Sequence, residues 1–372
     1  MPRREDAALP LAVTGAEKPP SAAKRDGHAW ADWIELRCLI DADGLVTPGQ
    51  VASWLREDPQ DAGDPEPEGS ESEVTTQVQD ADFVPDDVED GDREAERILA
   101  PVRVDNRAAN AYDYFAVMRS RSADLGADYP FAIDGQGLRC TVDPDRATHR
   151  LYVFLLLAAQ LRVLAERRRK YLTTTFERVM VPALTALMPG ASVQLFGTTA
   201  EPGSRYKGSL RTKIKRLGED LSETPGRAYA KIGEHDMGDA GLDVVAELPL
   251  GDKLPGRFVV FLQAACTDRW VEKQHSCSPS AWSQRLHLVN PQVTVCAIPH
   301  YFRDASGDWH DYNDLQDRLV LDRPRVLRLL SRNDGSCDPV ALALVDDALA
   351  HLIRIGRAAD TGRWGPVSAL PA

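Results

Sequence analysis

Gly238-Asp239-Ala240-Gly241-Leu242-Asp243-Val244-Val245-Ala246 and Arg257-Phe258-Val259-Val260-Phe261-Leu262-Gln263-Ala264-Ala265-Cys266 are the two stretches from which the fold is read. The first is a glycine-rich turn that delivers an aspartate to the start of an apolar run. The second is an apolar run of strand-like composition, interrupted by one glutamine. Pro249, Gly251, Asp252, Pro255 and Gly256 lie between them and mark a turn, so the pair reads as a β-hairpin. A run as apolar as Phe258 to Leu262 suits a central strand covered on both faces. A primary amide in such a strand is costly unless it has a partner or a task.

Upstream of the hairpin, Phe176, Val179, Met180, Ala183, Leu184 and Leu187 have helical spacing, with Thr173-Thr174-Thr175 at the start and Pro189-Gly190 at the end. Pro182 inside this pattern predicts a kink or a break near Val181. Val193 to Gly197 reads as a short strand. The segment Arg205 to Arg216 then carries six positive charges and no acid: Arg205, Lys207, Arg211, Lys213, Lys215 and Arg216. Leu210, Ile214, Leu217 and Leu221 make it an amphipathic helix with a basic outer face, suited to gripping a nucleic-acid backbone or simply solvated. Downstream come a helix over Trp270 to Gln274, a strand over Val293 to Ile298 and a helical region from Asp322 to Ile355. Asp322-Arg323 reads as an ion pair at a helix start. Helices alternating with strands predict an α/β domain with a mixed central sheet.

The N-terminal half is helical in pattern. Residues 1–28 form a Pro/Ala/charged tail, and 29–56 a small helical unit in which Thr47, Pro48 and Gln50 have capping-box spacing. Between Glu57 and Glu96 there are seventeen acidic residues and one basic one, a local charge of −16 in a chain whose total is −13, which leaves about +3 for the rest. A segment so charged and so poor in apolar residues reads as a disordered linker. A helical region, 97–171, follows, with Gly135 to Val142 as a short hairpin and Arg146 to Tyr171 as one long helix ending in Arg167-Arg168-Arg169-Lys170. The main domain is assigned to 172–355 and a tail to 356–372. The longest apolar run, Leu151 to Ala159, is too short to span a membrane. Met1-Pro2-Arg3-Arg4 has no apolar stretch after it, and six scattered cysteines form no Cys-x-x-Cys pair. The expectation is a cytoplasmic protein with free thiols.

The order helix, strand, basic helix, strand, strand, helix, strand, helix, with Gly241-x-Asp243 and an apolar strand ending in Gln263, resembles the restriction-endonuclease-like, or PD-(D/E)XK, nuclease superfamily. The branch it is similar to is the Mrr-type one, where Gln replaces the second acid. Including the helical front, Tyr129-Pro130-Phe131 and the apolar helix Leu151 to Leu157, the likeness covers about Trp30 to Arg328 and extends to nuclease components of bacterial anti-phage systems. The resemblance implies a Mg²⁺- or Mn²⁺-dependent endodeoxyribonuclease that cleaves DNA, with a helicase or ATPase as partner because the chain has no Walker-type loop. It implies Asp243 as the main metal ligand, Gln263 as the second and Glu177 as a helix-borne third, all hard oxygen donors of the kind Mg²⁺ takes. The lysine expected two residues after Gln263 is replaced by Ala265, so Lys273 is taken as its relocated counterpart. The departure leaves open an inactive nuclease-fold adaptor that holds nucleic acid or a partner protein. The structural alternative is a capped turn at Asp243, a backbone-bonded amide at Gln263 and an ordinary first-turn acid at Glu177.

Overall fold

The computed structural model describes residues 19–20, 26–55, 109–197, 204–316, 318–332 and 334–352; the acidic segment and most of both expected tails lie outside them. Helix α1 (Gly27–Ile40) opens the described chain, followed by β1 (Leu45–Val46) and α2 (Pro48–Trp54). At the start of α2, Thr47 and Gln50 exchange the two hydrogen bonds that their spacing predicts, at 3.2 and 2.7 Å. Helix α3 covers 109–125, and the expected hairpin is β2 (Phe131–Ile133) and β3 (Leu138–Cys140), to which β1 adds a third strand. Trp30, Trp33, Ile34 and Leu36 of α1 lie in the same buried cluster as Val244, Leu262 and Val295. The N-terminal unit therefore shares the main core.

Helix α4 (Ala147–Ala158) is buried from Leu151 to Ala158, as a helix that is apolar all round must be. It does not continue to Tyr171. A 3-10 turn at Leu161–Val163 and an extended Leu164 interrupt the chain, and α5 (Glu166–Leu187) begins anew. The basic run Arg167 to Lys170 thus opens a helix instead of closing one. Arg169 accounts for part of this: its guanidinium donates to the carbonyls of Leu164 and Arg162, at 2.6 and 3.3 Å, which the break has freed. Thr173 to Thr175 lie inside α5, where the Thr175 hydroxyl donates back to the Tyr171 carbonyl at 2.9 Å. Pro182 removes one backbone donor, yet α5 runs on to Leu187. Packing of Phe176, Val179, Met180, Ala183 and Leu184 in the core outweighs that loss.

The remaining elements, in order, are β4 (Ser192–Leu195), α6 (Leu210–Leu221), β5 (Thr224–Pro225), β6 (Val244–Glu247), β7 (Val259–Ala264), α7 (Trp270–Lys273), α8 (Pro279–Trp282), β8 (Leu286–His287), β9 (Val293–Ala297), β10 (Leu319–Leu321), α9 (Arg323–Leu330) and α10 (Pro339–Leu352). Five of the strands form one mixed sheet in the order β10-β9-β7-β6-β4. β6 is antiparallel to both β4 and β7, whereas β7, β9 and β10 run parallel. Alternate residues face opposite layers. Val244, Ala246, Val260 and Leu262 join the core that holds α4, α5, α9 and α10; Val245, Val259 and Phe261 meet Ile214 and Leu217 of α6 and Trp282. Both faces of β6 and β7 are covered, which is why these strands read as continuous apolar runs. Phe258, expected in the run, stays 43% exposed just before it. Among the described residues no helix is long and apolar enough to cross a membrane.

A charged cluster joins the ends of this body. Asp32 and Glu35 of α1, Arg121 of α3 and Arg323 at the start of α9 are all fully buried. Arg121 reaches Asp32 at 2.6 Å and Glu35 at 2.8 Å, and Arg323 reaches Asp32 at 2.8 Å. Tyr129 and Tyr152 each donate to Glu35 at 2.8 Å. Two acids and two arginines balance, so the charges are tolerated without water. Asp322 and Arg323 do not pair with each other as their adjacency predicts. Asp322 accepts from Arg303 at 2.9 Å and caps α9, while Arg323 turns inward to α1.

Candidate functional site

The register that sets Val244 opposite Leu262 brings Asp243 beside Gln263 at the end of the hairpin. The Asp243 N–H donates to the Leu262 carbonyl at 3.0 Å, and its own carbonyl accepts from Phe196 and Gly197 at 2.7 and 3.1 Å. Three strand ends therefore meet at this residue: the end of β4, the start of β6 and the end of β7. The Asp243 carboxylate is fixed by the Ala264 N–H, which donates to Oδ2 at 2.7 Å. Glu177 arrives from α5. A β-carbon on Gly197 would stand 3.1 Å from Glu177 Oε2 and 3.4 Å from Asp243 Oδ1, so both carboxylates border a residue with no side chain. Gln263 is 7% exposed, and its Oε1 is buried with no hydrogen-bond partner.

The turn before Asp243 is shaped to fit. Ala240 and Gly241 both have positive φ, at 56° and 79°, and the Gly241 N–H donates to Asp239 Oδ1 at 2.8 Å. At Gly241 a β-carbon would lie 2.2 Å from that of Ser276 and 3.3 Å from Gln263 Nε2. Asp236 accepts the Gly238 N–H in the same way, at 3.0 Å. Asp236 and Asp239 thus each hold a polar turn.

Burial, followed by the neighbouring Glu177 carboxylate, pushes the Asp243 carboxyl well above its usual range; the Ala264 N–H and the charge of Lys273 act against this. Lys273, exposed at the end of α7, lies close enough to Asp243 for its charge to be felt there. Ala265 is buried among Trp270, Cys296 and Phe302, with its N–H given to the Ala297 carbonyl at 2.9 Å.

Lys213 departs from its expected place. It is 3% exposed, and its Nζ donates to the carbonyls of Gly197 at 3.0 Å and Gly238 at 3.4 Å. Burial lowers its pKa, while Asp239, Asp243 and Glu177 favour its ammonium. It belongs to the acidic end of the sheet and not to an outer basic face. The spacing held the signal: Lys213 follows Leu210 by three and precedes Leu217 by four, which places it on the apolar stripe of α6. The other basic residues of the segment point outward, and several are paired within the chain. Arg205 pairs with Asp220, Arg211 lies 3.7 Å from Glu234, Lys215 lies 3.8 Å from Glu219, and Arg216 donates to the Arg205 carbonyl at 2.8 Å. Lys207 is exposed. Gly197, the floor between the two carboxylates, was not legible as a site residue; only its position after a short strand marks it.

Among the described residues no three His, Cys, Asp or Glu side chains group so as to hold a metal ion by themselves. Asp243 and Glu177 offer two carboxylates that flank Gly197, and Gln263, beside Asp243 in the register, has a buried amide oxygen with no partner. This suits a hard cation that keeps several waters. Two neighbouring carboxylates and an orphaned buried acceptor are unfavourable without a cation and favourable with one. Against protein-family models, curated proteins and solved structures, the chain finds no match.

Proposed function

We propose that the chain is a metal-dependent nuclease with a restriction-endonuclease-like core, hydrolysing phosphodiester bonds of DNA, within an antiviral assembly of the kind its sequence resembles. The observation that carries this reading is the pair of carboxylates, Asp243 and Glu177, that flank Gly197 at one sheet end, with Gln263, whose buried oxygen has no partner, beside Asp243 in the strand register. Support also comes from the topology, a helix and an antiparallel three-strand meander followed by a strand parallel to the last.

Asp243, Gln263 and Glu177 would hold Mg²⁺ or Mn²⁺, which supplies charge neutralisation at the phosphate and activation of water. Asp243 is kept in one orientation by the Ala264 N–H. Gly241 lets the turn approach Ser276, which seats the amide of Gln263. Lys213 ties the Gly197 and Gly238 carbonyls, so both loops that border Asp243 are fixed to α6. Lys273 adds an exposed positive charge on the solvent side. Arg205, Lys207, Arg211, Lys215 and Arg216 are the basic residues on the outer side of the same segment, suited to phosphate contacts.

The test is cleavage of plasmid and single-stranded DNA with Mg²⁺ or Mn²⁺ by wild type and by Asp243→Ala. Metal-dependent cutting that falls by about 10³-fold in the variant is expected. Cutting that survives in Asp243→Ala overturns the site. A wild type that binds DNA and binds no divalent ion favours the adaptor, a reading that Ala265 at the usual lysine position supports.

A further inference from the structure

The buried Lys213 ammonium is hydrogen-bonded to Gly197, which the Glu177 and Asp243 carboxylates flank, and to Gly238, which precedes Asp239, so three carboxylates act on it. Its Nζ is held between two backbone carbonyl oxygens, those of Gly197 and Gly238. Carbonyl and carboxylate oxygens are the ligands a hard divalent ion seeks. The ammonium thus sits where a cation is electrostatically wanted, on a helix inserted between β4 and β6. Three carboxylates and one ammonium leave two negative charges, which one divalent ion neutralises. A second divalent ion would leave the group with an excess of two positive charges, disfavoured beside the buried Asp243 and Lys213. Lys273 adds positive charge from the exposed side and pushes in the same direction. Gln263, beside Asp243 in the register and with a buried Oε1 that has no partner, would be the third protein donor to a single ion.

We propose that the Lys213 ammonium takes the place of a second divalent cation, so that the site at Asp243 holds one divalent ion. This rests on the metal-site reading above and adds to it the number of ions and the residue that fixes that number. Lys213 acts here as a positioning and charge-balancing residue, with no contact to the reacting atoms required.

The experiment counts Mn²⁺ bound to the full chain by equilibrium dialysis with electron paramagnetic resonance of the free ion. It compares wild type, Lys213→Gln and Lys213→Arg. Glutamine retains a donor for the two carbonyls and removes the charge; arginine retains the charge. One ion is expected in wild type and in Lys213→Arg, and two in Lys213→Gln. The thermal midpoint followed against Mn²⁺ gives the same count for a variant too unstable to dialyse. Two ions in wild type, or one ion with unchanged affinity in Lys213→Gln, overturns the role of Lys213 and leaves the metal site standing. No ion in wild type overturns the metal site itself, and this inference with it.

Discussion

At Gln263 a buried oxygen has no partner, although the residue beside it, Ala264, uses its N–H to fix Asp243. An unsatisfied buried acceptor costs about 1–3 kcal/mol, more than a well-packed apolar atom at the same place. Gln263→Met is therefore expected to stabilise the metal-free chain by about 1 kcal/mol, read from urea unfolding in the presence of a chelator. The same variant should lose stabilisation by Mn²⁺. An unchanged or lower midpoint without metal would show that the oxygen is satisfied in solution. That Asp243 and Gln263 lie side by side was legible, because the glycine-rich turn and the two apolar runs define the hairpin that pairs their strands. Lys213 was misplaced because a count of charges along the segment ignores the direction in which each side chain leaves the helix. Gly197 was missed because the contact that matters there, between a helix acid and a strand aspartate, joins residues far apart in sequence.

Helix α6 ends at Ser222, which is left-handed with φ 60° and ψ 32°, and whose N–H closes on the Glu219 and Gly218 carbonyls. Glycine is the residue that takes this conformation without strain. Ser222→Gly is expected to stabilise the chain by about 0.5–1 kcal/mol, measured as a rise in the thermal midpoint with no change in metal binding. At this scale the strands of the hairpin and the capped α2 followed from local rules, because turn residues and capping spacing act over a few positions. The break between α4 and α5 did not follow. No glycine or proline marks it, and the arginines that cap it were read as the end of the helix they in fact begin. Pro182 failed as a helix breaker for a related reason: tertiary packing along α5 decides what a single lost hydrogen bond cannot.

Across the whole molecule, α1 is locked to the loops that follow β9. His28 packs against His310 at a tilt of 58° with ring centroids 4.6 Å apart and meets Phe302 edge-on at 5.0 Å; His300 lies in the same region. Burial first, then repulsion from His310 and from His300, holds His28 well below its ordinary pKa, and burial likewise lowers His300. An unfolded histidine takes its proton near about pH 6.5. Because both folded values lie below that, the unfolded chain binds more protons as the pH falls, so stability is full above about 6.5 and drops below it. His310 has the opposite sign, since Asp26 raises its pKa, but it is half-buried and single. The unfolding free energy is expected to fall between about pH 7 and 5.5, by up to about 1 kcal/mol per buried imidazole, with a shallower slope in His28→Gln. An equal slope in that variant would place the titration elsewhere.

The buried cluster of Asp32, Glu35, Arg121 and Arg323 binds a helix before the acidic segment to two helices after it. Removing one side of such a cluster strands opposite charges in the core, at about 3–5 kcal/mol per broken pair. Continuity of the polypeptide between residues 56 and 108 is thus not what holds α1 in place. The gene could be split inside the acidic segment, and the two products, made as separate chains, would be obliged to find each other. Neither half would be a sound protein alone, because each carries charges that only the other neutralises.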